Sequence, residues 1–275
     1  MPTFTGKTYS SYYKNILSID QSSNTGVDTI MRTIHDGAGN STAMSVSDDL
    51  FIVRPRSDNS VGAFGVLNVA GSSIFKVDTT NSKVLIGASQ TAGNTQYAHF
   101  GITYADTAGA GFTADTHYAI PFGGSHYGGA VAANYAMGSS TSSSFNDTNP
   151  ATSLTISSTA HGIVRAYWYV MDNITIDAVK WLHAADTSTG EATAAHLMAY
   201  TVDIANGSTS GDLSSGTVVA DGTNITNAGY EQIYYQAMTV QSADVDAGKV
   251  ILFTFASDTI NSDYSINATV KYHIR

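Results

Sequence analysis

The 275 residues hold 12 Lys+Arg against 22 Asp+Glu, a formal net charge of −10, with 12% charged residues, no Cys, 4 Pro and 25 Gly. Typical soluble domains are ~25% charged; here Ser, Thr, Asn and Gly stand where Glu, Lys and Arg would coat long surface helices, so strands and turns are favoured. An acidic chain lacks the basic footprint of nucleic-acid binding, and zero Cys excludes disulfide scaffolds, Cys-ligated zinc, iron–sulfur clusters and thiol catalysis.

The start of the chain, Met1-Pro2-Thr3-Phe4-Thr5-Gly6-Lys7, lacks the apolar core of a signal peptide, and nothing approaches a transmembrane run of ~20 apolar residues. A protein made in a cytoplasm, without membrane insertion, is expected. Residues 1–20 carry Phe4, Tyr9, Tyr12, Tyr13, Ile16, Leu17 and Ile19 without clear caps, which fits a short helix, a strand, or an arm that orders on a partner. Residues 21–100 read as short strands between turns: Asp36-Gly37-Ala38-Gly39-Asn40 precedes a run from Ala43 to Val53, followed by Val61–Val69. Ile74–Asp78 and Lys83–Ile86 flank the turn Thr79-Thr80-Asn81-Ser82, a hairpin pattern. Large apolar residues are thin here, and a unit of this size buries too little surface to stand alone. Self-association is one remedy.

Residues 101–150 turn to Gly, Ala, Ser, Tyr and Thr, and the tract Ser139-Ser140-Thr141-Ser142-Ser143-Ser144 before Pro150 predicts a connector and boundary. Residues 151–275 then read as a complete β domain, with strands expected at Ser153–Ser157, Ile163–Met171, Ile174–His183, His196–Asp203, Thr217–Ala220, Tyr230–Val240, Lys249–Ala256 and Tyr264–Ile274. In the last, Tyr264, Ile266, Ala268, Val270, Tyr272 and Ile274 alternate with polar residues, and Ile251–Phe255 is apolar on both faces, as in a central strand. The fold class is all-β: a short-stranded N-terminal β region and a C-terminal jelly-roll-like β-sandwich.

Catalytic patterns are missing. There is no Gly-x-Ser-x-Gly, His-Glu-x-x-His or phosphate-cradling glycine loop, and Gly37-Ala38-Gly39 is a turn with no helix after it. Asp244/Asp246 and Asp258/Asp263 sit at turns, where carboxylates cap backbone amides, rather than as an acid/base pair. His117 and His126 are the best-spaced metal pair but lack an obvious third ligand; Asp115 is the nearest. No cofactor, resident metal or enzymatic activity is expected. Aromatics at Tyr167-Trp168-Tyr169, Trp181 and Tyr234-Tyr235 fall on both faces of their strands, so one set is core and the other meets solvent, a subunit or a ligand. Trp168, Trp181 and Tyr234 are the candidate contacts.

The stretch Ser11–Asp20, the run Val27–Arg32 and the segment Asp36–Ala43 resemble the N-terminal region of structural proteins of marine tailed bacteriophages. Ile74–Gly87 is similar to the strand–turn–strand units of trimeric phage fibres, and Tyr167–Arg275 resembles the terminal domains of such virion proteins. The resemblance implies a homotrimeric fibre or appendage of the virion, assembled in the host cytoplasm. Phe4, Tyr9, Tyr12, Tyr13, Ile16 and Leu17 would then dock it to other virion proteins, 21–150 would space, and 151–275 would form the head. A head that binds host surface glycan (an adhesin), or a capsid decoration protein, is the alternative. No catalytic residue carries over.

Overall fold

The computed structural model describes residues 16–20, 26–87, 91–106, 113–123, 125–126, 136–139, 150–154, 164–186, 190–202, 213–229, 231–259 and 262–275. Among these the secondary structure is strand, with one 3-10 turn at Val164–Ala166 and no α-helix; no helix there is long and apolar enough to cross a membrane. The chain divides into two compact units, Met1–Asn94 and Thr95–Arg275.

The first unit is two antiparallel meanders. One runs β1 (Ser18–Ile19), β2 (Arg32–His35), β3 (Ser41–Val46) and β4 (Phe51–Val53); the other runs β5 (Phe64–Leu67), β6 (Ser73–Asp78), β7 (Lys83–Ile86) and β8 (Thr91–Ala92), each in sequence order. The expected hairpin is β6–β7, paired from Phe75↔Ile86 to Asp78↔Lys83. Turn chemistry sets these meanders. Asp36 accepts the amides of Ala38 and Asn40 (2.9 and 2.8 Å), with Gly39 at φ +85°, a left-handed conformation that glycine adopts without strain. Asn68 accepts from Ala70 and Ser72, and Asp78 from Thr80 and Asn81, in the same manner. The two buried residues described in this unit are polar, Ser47 and Asp78.

The second unit opens with β9 (Thr95–Asp106), β10 (Thr116–Ile120), β11 (Ser125–His126), β12 (Ala136–Ser139), β13 (Trp168–Tyr169) and β14 (Ile174–Ala185). It continues through β15 (Ala192–Val202), β16 (Leu213–Asp221), β17 (Ile225–Thr226), β18 (Gln232–Val240), β19 (Asp244–Val245), β20 (Lys249–Ser257) and β21 (Asp263–Ile274). The order β11-β9-β21-β14-β18 continues through a β18–β16 pairing into β16-β15-β20-β10-β12, so one thirteen-stranded sheet curls back on itself as a β-sandwich. Inward residues alternate as the pleat demands: Ile174, Ile176, Val179, Trp181 and His183 on β14 (a bulge near Asp177 preserving the phase), and Tyr264, Ile266, Ala268 and Val270 on β21. They meet Phe253 and Phe255 of β20, with Trp181 at 6.1 and 6.0 Å between ring centroids. β20 lies between β15 and β10. Its other face packs Leu252 and Val250 with Met198, Tyr200 and Leu213 in a second cluster, so it is buried on both sides.

The sandwich begins at Thr95, not at 151. The stretch expected to be a connector supplies β9, which runs the length of β21, and β10, which pairs with β20 from Tyr118↔Phe255 to Ile120↔Phe253. The physical reason lies in Ala98, Phe100 and Ile102, which alternate inward among glycines and threonines and bury fully. The Ser-rich tract at 140–149, and most of the strand expected at 153–157, lie outside the described residues.

Candidate functional site

The outer face of the β21-β14-β18 layer carries two adjoining hollows. Leu182 and Ala184 on β14, Ile233 on β18 and Ser265 and Asn267 on β21 line a hollow of about 380 Å³. It adjoins a second hollow of about 250 Å³, reached past the shared Ala184 and Ser265, that ends at Asp186, Glu231 and Asp263. The small residues Ala184 and Ser265 leave the depression; Leu182 and Ile233, 41% and 73% exposed, form its apolar side. Beside it Tyr235 is exposed and Lys180 Nζ stands 5.8 Å from the centre of its ring. Such an arrangement can seat an apolar side chain or the flat face of a sugar.

Behind this face lies a buried polar chain of residue types familiar from catalysis. His183 Nε2 donates to Asn227 Oδ1 (3.2 Å), Asn227 Nδ2 donates to Tyr264 Oη (3.2 Å), and the Tyr264 hydroxyl donates to Glu191 Oε2. Ser257 Oγ is 3.4 Å from the same hydroxyl. Burial drives the His183 imidazole down to about 4, against the opposite pull of Asn227 and Glu191, so it is neutral at pH 7. Burial, reinforced by Glu191, pushes the Tyr264 phenol up. Burial, with Glu191 and Asp115 nearby, also raises the Asp258 carboxyl despite its bond from the Ala192 amide. All four of His183, Asn227, Tyr264 and Glu191 are 1–2% exposed. Bonded to one another through these atoms, they bolt β14, β21 and β20 to the approaches of β15, while His183 Nδ1 is buried without a hydrogen-bond partner.

The expected contact rings fall on the other side of the sheet. Trp181, 1% exposed, stacks on His183 (4.8 Å) and donates Nε1–H to Gln236 Oε1 (3.0 Å). Trp168, 8% exposed, lies parallel to Phe122 at 5.9 Å and against Tyr272 at 4.8 Å. Neither tryptophan is the surface ring that the sequence suggested; both are core. Tyr234 is half-buried on His183 (5.0 Å), its hydroxyl accepting from the Ala228 amide and donating to Gln232. Their neighbours by alternation, Tyr169, Leu182 and Tyr235, are the exposed ones. Parity along the strand carried that distinction; which parity faced the core did not show until β20 was in place.

His117 meets His196 edge-on at 5.0 Å in the interior, while the His126 side chain lies outside the described residues. Among the described residues no group of three His, Cys, Asp or Glu is arranged to hold a metal ion. Of the expected docking residues, Ile16 is half-buried and Leu17 is 60% exposed, next to β1; Phe4, Tyr9, Tyr12 and Tyr13 lie outside the described residues.

The first unit presents a surface of another kind. Every buried apolar side chain among the described residues lies between Ala98 and Val270, none in the first unit. Among the described residues, thirteen of the twenty exposed large apolar side chains, from Leu17 to Ile86, belong to that unit. Sequence reasoning found the thin core but not its completeness, because exposure is decided by what lies above a strand. Compared with known proteins, the chain matches no protein-family model and no curated protein.

Proposed function

We propose that this chain is a non-enzymatic structural protein of a bacteriophage virion, a homotrimeric fibre or appendage. Its N-terminal region attaches to the particle, and its C-terminal sandwich, jelly-roll-like in this reading, forms the head. One observation carries the reading: the first unit has ordered strands and turns, yet among its described residues all large apolar side chains are exposed or half-exposed and none is buried. Apolar surface at this density marks an interaction site, and a unit without a core draws its stability from association. The resemblance of Ile74–Gly87 to fibre hairpins adds the virion context. Light scattering on the intact protein tests it. A particle of three times 28.8 kDa that persists on dilution is expected; a dilution-resistant monomer overturns the reading.

A glycan-binding head is the second reading, favoured by the hollow beside Tyr235, Lys180 and Asn267. Exposed rings stack on sugar faces and Asn bonds hydroxyls. A glycan array tests it: binding lost in Tyr235→Ala supports an adhesin, and an array without binding supports a decoration or purely structural role.

A further inference from the structure

We infer that the apolar face of the β5–β8 meander is the seam along which copies of this chain associate. This rests on the reading of the chain as a self-assembling structural protein and assigns the surface that does it. Strand register defines the face. Phe64 lies opposite Val77 and Val77 opposite Val84; Val66 lies opposite Phe75 and Phe75 opposite Ile86. Cross-strand partners share a side of the sheet, so these six side chains, all apolar, form one continuous surface, with the Phe64 and Phe75 rings edge-on at 6.2 Å. The reverse side carries Gly65, Lys76 and Leu85 in the corresponding row. Ile74, Asp78 and Lys83 share that reverse side, so charge is confined to it while the six residues of the first side are apolar. No core is there: Phe64, Val66 and Ile86 are 41%, 46% and 52% exposed.

The sheet edge points the same way. β5, Phe64-Gly65-Val66-Leu67, is exposed at all four residues and stands at the end of the strand order. Natural edge strands are guarded by Lys, Pro or a covering element, because an open edge templates pairing with another chain. This one has no such guard in its sequence.

A second copy is the occupant that fits. The face holds no charge and so selects no oppositely charged partner, whereas the apolar sides of identical chains pack on one another where they converge about a symmetry axis. The six side chains expose roughly 300–400 Å², about half of the ~800 Å² hidden per partner in a standard interface, and the open β5 edge adds backbone pairing to that apolar contact.

Charge placed on each side of the sheet tests the seam in the full chain. Val66→Lys with Ile86→Lys is expected to reduce the mass by light scattering to the 28.8 kDa of one chain, with the near-ultraviolet circular dichroism of the sandwich retained; Leu85→Lys, on the reverse side, leaves the multimer intact. A multimer unmoved by the double variant, or dissolved equally by Leu85→Lys, overturns the seam and leaves the assembly reading standing. A wild-type monomer overturns both. Because a doubly charged face could disturb the meander itself, oxidation gives a second readout in a chain without native Cys. Val66→Cys is expected to form a disulfide-linked dimer and Lys76→Cys to stay single on a non-reducing gel; the reverse preference sinks the proposal.

Discussion

The two units reach order by different physical routes. Residues 95–275 bury Trp181, Phe253, Phe255 and Tyr264 between the layers of a curled sheet and wrap the back of β20 as well, so hydrophobic burial dominates. Residues 1–94 have the same kind of strands and sharper local turns, with Asp36, Asn68 and Asp78 each holding the backbone amides that follow, but among their described residues no apolar side chain goes inside. Hydrogen bonds of this sort are worth ~1 kcal/mol net each, which specifies a shape without sustaining it against chain entropy. The comparison teaches that local order and global stability are separable. A segment can carry every turn signal of a folded domain and still depend on neighbours.

Separating the units should show the largest difference. Residues 95–275 alone are expected to melt in one cooperative calorimetric transition and residues 1–94 alone in none; a cooperative melt of monomeric 1–94 would break the contrast outright. Within the sandwich, Phe253→Ala removes a fully buried ring that packs on Phe100 and Trp181, and a loss of about 3–5 kcal/mol is expected in urea unfolding. Acid should act on the same unit. His183 and His196 are both held down to about 4, chiefly by burial, against 6.5 for an ordinary imidazole. The unfolded chain therefore takes up protons first as pH falls. The stability these buried neutral rings preserve is complete above pH 6.5 and is lost progressively between pH 6.5 and about 4, on the order of 3 kcal/mol for each. Urea midpoints at pH 7 and pH 4 check this, and His196→Gln should flatten the slope. Smallest is Tyr264→Phe, which takes from the buried Glu191 carboxylate its hydroxyl donor and should cost about 1–3 kcal/mol, read in the same unfolding assay.

Much of the strand plan was legible. Ile174–His183 was expected and Ile174–Ala185 found; Tyr264–Ile274 was expected and Asp263–Ile274 found; the hairpin at Ile74–Asp78 and Lys83–Ile86 matches β6 and β7 nearly residue for residue. Each has either clean two-residue alternation or a turn with capping side chains. β9 was missed because Gly101 and a Thr-, Ala- and Tyr-rich surround mimic a linker, although Ala98, Phe100 and Ile102 alternate correctly. The surface was less legible. The tryptophans drew attention by size, whereas the outer hollow is made by small residues, Ala184 and Ser265, which leave no mark in a sequence.

The sequence by itself determined the all-β class, most strand positions from Ile174 onward and the poverty of apolar residues in the first unit, because alternation, turn residues and composition are properties of short stretches of chain. The strand expected at Ile163–Met171 is instead a 3-10 turn at Val164–Ala166 and a two-residue strand at Trp168–Tyr169. Only the tertiary structure decided which side of each strand is interior. Trp181 is buried because Gln236, Phe253 and Phe255, all more than fifty residues away, close over it. Phe64 and Val66, in an equally strand-like run, remain open because their meander has no opposing layer among the described residues of its unit. Burial is a relation between distant segments, and no local pattern contains it.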